Sequence, residues 1–289
     1  MGDSYMNKLL IFVLLLYGCS ASTATRQQTS NTGKGPIDPK VTKSFLPDNN
    51  FSQTKKYAKA GEVTEEDFDD VMEAIRTIYE PIIWNHGATL NVYGNWSDNT
   101  VNAYAEQAGT AWNVSFFGGL ARHPFMTREG FAMVACHEIG HHVAGYPSYP
   151  GEWASNEGNS DFYATASCAK LMFDENSPLL FMKKKPKPKP TPVPTDCVDS
   201  VCKLSLEAGL SLGKVLAELN DEPNPSYDTP DTSKVSTTYD SHPKAQCRVD
   251  TYRYGAYCDK QWNHDKIPQS LSDMVNNSCS DRPKCWYAR

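Results

Sequence analysis

Apolar and polar positions follow two different rhythms along this chain. In TEEDFDDVMEAIRTIYEPII, Phe68, Val71, Met72, Ile75, Ile78 and Tyr79 recur at intervals of three and four, the spacing of one helix face. Thr64 stands where an N-cap belongs, with acids in the first turn behind it. The period then shortens. ATLNVYGNW and NAYAEQ read as short strands. AWNVSFF alternates, with Trp112, Val114 and Phe116 on one face, until Gly118 and Gly119 end it. Helical spacing returns from about 127 to 144, stopped by Gly145 and Pro147. Two more helices are expected at about 159–173 and 200–219. Together these elements predict an α+β fold: a small, mostly antiparallel sheet packed on one central helix, followed by a helical second half.

Other stretches have neither rhythm. MNKLLIFVLLLYGCS has a charged start, a short apolar run from Leu9 to Leu16 and a small-residue exit, so residues 1–18 are expected to be a secretory signal. The run falls short of the ~20 apolar residues of a spanning helix. LYGC resembles the bacterial lipobox, in which the cysteine takes a lipid; an ordinary cleaved signal is the plainer reading. If Cys19 is lipidated, the chain is tied to a membrane by that lipid alone, at the bacterial periplasmic or cell-surface side and on the outer membrane. Residues 19–60 are poor in large apolar groups and are expected to form a disordered tether. Residues 61–182 would be the core. In residues 183–196, KKKPKPKPTPVPT is built for extended polyproline, a solvated linker or a basic arm for anionic surfaces. Residues 197–289 are expected to form a helical, cysteine-rich C-terminal part that completes the site.

Composition sharpens this outline at two points. The formal charge of −6 over 289 residues gives no reason to expect nucleic acid as a partner. With Cys19 set aside, eight of the nine cysteines remain, an even number that in an exported chain favours disulfides over thiolate metal sites. Cys197 with Cys202, and Cys279 with Cys285, could close small loops, and Cys136 with Cys168 could join two helices.

The chemistry sits in VACHEIGHHVAG. His137 and His141 lie four apart, so on a helix both imidazoles point at one place. Glu138 falls about 100° round the helix. That position flanks a metal without binding it, as a general base for an activated water would. The surrounding apolar residues imply a buried helix, where such polar groups are costly unless partnered. A third ligand is expected shortly downstream. Glu157 is preferred over Glu152 because Asp161 follows it one turn later and can orient a ligating histidine through its second nitrogen. The ion expected at such a site is Zn2+. His142 points away from that face and is read as structural or exposed.

HEIGH followed by NEGNSD resembles the gluzincin zinc metallopeptidases, in which a glutamate supplies the third ligand and the aspartate supports a histidine. SHPKAQCR is similar to the HPxxxxR segment of the branch holding the CAAX prenyl peptidases and bacterial envelope quality-control peptidases. The resemblance implies a zincin-like fold, His242 as stabiliser of the oxyanion and Arg248 as an anchor. His123, Tyr239 and Tyr252 compete with His242 for that role, while Tyr252, Tyr254 and Tyr257 also read as packing residues. It further implies that AWNVSFF is a sheet edge to which a protein or peptide substrate adds. The chain departs from that branch in having no spanning segment after the signal. The expected function is that of a zinc-dependent endopeptidase of the cell envelope. Two alternatives stand beside it: a non-catalytic, zinc-stabilised envelope lipoprotein, and an adhesion or wall-binding module built on the Lys/Pro run and the C-terminus.

Overall fold

Thr64 starts the first helix. Its hydroxyl accepts from the Asp67 amide, and the Asp67 carboxylate accepts in return from the Thr64 amide. In the computed structural model, which describes residues 42–49, 51, 61–174, 177 and 193–289, that helix is α1, Glu65–Asn85. Its buried stripe of Phe68, Val71, Ala74, Ile75, Tyr79 and Ile83 faces the core.

A four-stranded sheet follows. Its strands are β1 (Thr42–Ser44), β2 (Thr89–Asn95), β3 (Ala103–Ala108) and β4 (Ala111–Phe117), in the order β1-β3-β4-β2. β3 and β4 form an antiparallel hairpin, from Ala103↔Phe116 to Ala108↔Ala111. β4 inserts between its two predecessors and therefore runs parallel to β2, from Thr89↔Ala111 to Asn95↔Phe117. β1 pairs antiparallel with β3, from Thr42↔Glu106 to Ser44↔Tyr104. The sheet is mixed, with two of its three pairings antiparallel.

Two expectations need correction here. AWNVSFF is an interior strand, not an edge. Trp112, Val114 and Phe116 are buried as expected, but the polar alternate Asn113 is paired across strands: it accepts from Asn91 and donates to Glu106. Polar alternation reflects that side-chain ladder rather than an open edge. The second correction concerns the tether. Residues 42–46 are folded: Thr42–Ser44 are a strand, and Phe45 and Leu46 lie in the core. Residues 1–18, Cys19, the tether up to residue 41 and residues 183–192 of the Lys/Pro run lie outside the described residues.

After a short helix α2 (Gly118–Ala121), α3 (Arg128–Val143) runs through the centre of the molecule with Thr127 as its cap, matching the expected span. It touches α1, the sheet, the helical stretch over 157–172 and the helix over 200–220. Helix α4 (Glu157–Tyr163) passes through a π-helical turn, Ala164–Cys168, into α5 (Ala169–Met172). Helix α6 (Ser200–Asn220) agrees with expectation. α7 (Ala245–Ala256) and α8 (Leu271–Asn277) complete the helical half. Among the described residues no helix is long and apolar enough to cross a membrane.

Four disulfides staple these parts. Cys136–Cys168 ties α3 to the π-helical turn, and Cys197–Cys202 closes the loop into α6, two of the pairings that the sequence left open. Cys279 and Cys285 do not pair with each other. They join Cys258 and Cys247 respectively. The reason is the path of the C-terminus: the amides of Val235 and Tyr239 donate to Lys284 and Trp286, and Trp286 packs on Gly158, so Cys285 is presented to α7.

Candidate metal centre

Every residue of α3 from Gly130 to Val143 is buried, so the helix has no solvent face on which to place its histidines. His137 and His141 stand one turn apart with ring centroids 4.7 Å from each other. α4 brings the third group. Asn156 caps it through the Asn159 amide, and Glu157 is its first residue. The approach of α4 to α3 depends on Gly140, where a Cβ would meet the Ser160 backbone at 3.0 Å. A side chain there would push the two helices, and with them the ligands, apart.

The ligand atoms of His137, His141 and Glu157 lie within 4.8 Å of one another, all buried, and the group could hold a metal ion. The outer nitrogens show why a cation fits. His137 Nδ1 donates to Asp161 Oδ1 at 2.8 Å, and His141 Nδ1 donates to the Ser155 carbonyl at 2.8 Å. Both partners can only accept, so each neutral ring carries its proton on Nδ1 and turns a bare Nε2 inward. His137 Nε2 lies 3.2 Å from Glu157 Oε2, and His141 Nε2 lies 3.6 Å from Oε1. His137 Nε2, His141 Nε2 and Glu157 Oε2 have no hydrogen-bond partner. Lone pairs facing a carboxylate in a dry interior repel unless positive charge stands among them. Among the described residues the remaining grouping of this kind, Asp231 with Cys247 and Cys285, is disqualified because both sulfurs are in one disulfide.

The proton affinities tell the same story. Burial lowers His137, but Asp161 and then Glu157 outweigh it and raise the imidazole to about 9. Without a metal, then, a proton supplies the positive charge. Burial pushes His141 down to about 3 against the pull of Glu157. Burial alone would raise Glu157, yet His242, His141 and His137 hold it well below the usual carboxylate range. Burial raises the Glu138 carboxyl to about 8, with His137 opposing. Both Glu138 oxygens are buried and without a partner.

Asp161 is the anchor beneath. Besides His137 it accepts from Arg248 Nε at 2.7 Å and Nη2 at 2.8 Å, and from the Tyr252 hydroxyl at 2.9 Å. Arg248 and Tyr252 sit one turn apart on α7, so a single helix face secures the carboxylate. The loop before α7 carries His242. It is tied to α4 by the Glu157 amide and the Asn156 side chain, both donating to Asp240. This places His242 Nε2 3.6 Å from Glu157 Oε2.

The structure thus brings His137, Glu138, His141, Glu157, Asp161, His242 and Arg248 together. It leaves the other candidates elsewhere. Glu152 pairs with Lys43. His123 faces Glu218 of α6, and Tyr239 is exposed. Tyr252 supports Asp161 from beneath. Tyr254 and Tyr257 are partly exposed and are not core residues. His142 is structural: it stacks between Trp112 and Trp153 and bonds the Asn113 carbonyl.

Sequence reasoning missed three contributors. Tyr149 donates to Glu157 Oε1 at 2.7 Å. The Ser155 carbonyl orients His141. Phe45 sets its ring edge-on to His137 at 5.1 Å. None has a spacing signal, because each comes from a loop or a distant strand; only the small apolar cluster VTKSFL within a polar stretch hinted at the last.

Comparison of the chain with protein-family models, with curated proteins and with solved structures gave no match. The functional reading therefore rests on the geometry and on the short motifs.

Proposed function

We propose that the protein is a zinc-dependent endopeptidase of the bacterial cell envelope, exported and held to the membrane by a lipid on Cys19. The supporting observation is the convergence of two bare imidazole nitrogens and one carboxylate on a single point, with a second, unpartnered carboxyl beside them. His137, His141 and Glu157 would hold the ion, a donor set of the kind found in catalytic zinc sites. When bound, such an ion would supply Lewis acidity for the activation of water and the polarisation of a carbonyl. Glu138 takes the proton of the attacking water and hands it to the departing amine; its proton affinity, raised toward neutrality by burial, suits both transfers. His242 donates to the carbonyl oxygen as negative charge develops there. Asp161 keeps the His137 proton on Nδ1, and Arg248 and Tyr252 keep Asp161 in place. Tyr149 steadies Glu157 by donating to its Oε1. Four disulfides suit an oxidising compartment, in keeping with export.

The test is elemental analysis of the purified chain together with cleavage of a diverse peptide mixture, before and after chelation. Close to one zinc per chain and zinc-dependent cleavage are expected. Stoichiometric zinc with no cleavage under any condition would leave a zinc-stabilised binding module instead.

A further inference from the structure

The groups proposed to hold the ion and to activate the water are covered in this conformation. His137, Glu138, His141 and Glu157 are fully buried. Part of the cover is the chain itself, in residues 42–46.

Those residues are held by their main chain. The Ser44 carbonyl accepts from His242 Nε2 at 2.8 Å. The Phe45 amide donates to the Ala103 carbonyl at 3.0 Å, and the Phe45 carbonyl accepts from Arg248 Nη1 at 3.0 Å. Asn102 takes both polar groups of Leu46, accepting from its amide and donating to its carbonyl at 3.0 Å each. One side chain is read closely: Phe45 is enclosed, with the edge of His137 on one side and the Arg248 guanidinium 4.6 Å over its ring. Ser44 lies opposite Tyr104 in the β1–β3 ladder. An extended segment whose backbone is satisfied by a sheet edge and fixed side chains is how a peptide is recognised by strand addition. The donor aimed at the Ser44 carbonyl is the group proposed above to meet the developing oxyanion.

We propose that residues 42–46 occupy the substrate's place, with the Ser44–Phe45 bond presented to the site, so that free peptides compete with the chain's own segment and the preferred substrates are extended peptides with a large apolar residue directly after the cleaved bond. This rests on the peptidase reading. The receiving strand is β3, since β1 takes up its free edge and β4 has strands on both sides. Cleavage there adds water across the bond: the hydroxyl joins the Ser44 carbonyl carbon, the C–N bond breaks, and the Phe45 nitrogen takes the proton. β1 is short, and Lys43 adds side-chain contacts to it, with Glu152 and with the Tyr149 ring. Releasing β1 opens the cleft.

The test uses the full chain loaded with zinc. Glu138→Gln stops turnover, and Lys43→Pro added to it weakens β1. A labelled peptide copying residues 40–49 is titrated into both. It is expected to bind the Lys43→Pro chain about tenfold more tightly, since one strand hydrogen bond and the Lys43 contacts no longer compete. Equal affinity for the two, or binding to neither, overturns the proposal. Should Lys43→Pro prove unfolded by thermal melting, Lys43→Ala replaces it, with about a threefold gain expected and no gain overturning. In the chain with Glu138 intact, the unlabelled peptide is expected to be cut between Ser44 and Phe45, and a peptide mixture to be cut ahead of large apolar residues. A cut at another bond, or no such preference, overturns the register. Cleavage of nothing at all, with the affinity gain present, sinks the peptidase reading and leaves the occupancy of the cleft standing.

Discussion

Replacing Asp161 by asparagine should damage both the fold and the metal site. The carboxylate accepts from His137, from the Tyr252 hydroxyl and twice from Arg248, and both Asp161 and Arg248 are fully buried. An amide keeps at most one acceptor oxygen. If that oxygen takes the Oδ1 position, the new NH2 faces Arg248 Nε, donor against donor. The larger loss is charge: the Arg248 guanidinium is left in the interior without a counterion, and breaking a buried pair from one side costs about 3–5 kcal/mol. For a domain of this size that is a fall in Tm of about 6–20 °C. Separately, His137 loses the anion behind its Nδ1–H, which typically costs 10- to 100-fold in metal affinity, or about 1.4–2.7 kcal/mol. The assays are urea unfolding of the chelator-treated chain with its disulfides intact, and zinc competition against a chromogenic chelator. Tyr252→Phe is the control. It removes one hydroxyl bond at a cost of about 1 kcal/mol and leaves zinc affinity within about threefold. Stability within 1 kcal/mol of the parent together with unchanged zinc affinity for Asp161→Asn would refute the account of the anchor.

Three further outcomes follow from the same geometry. Glu138→Gln should bind zinc as the parent does while peptide cleavage falls by about 10²–10⁴-fold, measured by metal content and initial rate; full activity would remove Glu138 as the base. Because His137 is raised to about 9 in the metal-free chain, its Nε2 carries a proton at pH 7.5 that an incoming ion must expel. Calorimetry in buffers of different ionisation enthalpy should report at least one proton released per ion, with affinity falling about tenfold per pH unit below 9; the absence of any buffer dependence would contradict this. Removing Cys136–Cys168, whose cysteines are 32 positions apart, should cost about 4 kcal/mol by loop entropy, against about 2 kcal/mol for Cys197–Cys202, whose cysteines are 5 apart; the reverse order in denaturant midpoints would show that closure entropy does not govern them.

Local signals carried much of this protein. Thr64 and Thr127 mark helix starts, Trp112, Val114 and Phe116 mark the inner face of a strand, and the His137–His141 spacing marks a shared helix face. Each depends on a few neighbouring residues and a backbone period. Even the Glu157–Asp161 pair was legible, since one helical turn joins its members. Tertiary structure decided what comes from afar. It made AWNVSFF an interior strand, because β2 and β3 claim its two sides. It drew Cys285 to Cys247 and Cys279 to Cys258, because the C-terminal path sets which sulfurs meet. It set His242 and Tyr149 on the Glu157 carboxylate, and it turned a polar leader segment into a strand lying over the site. A periodic pattern records which face of an element is buried, but not what buries it. That is decided by which distant surfaces meet when the chain closes on itself, and here those contacts supply the partners of Asp161, of Arg248 and of one Glu157 oxygen.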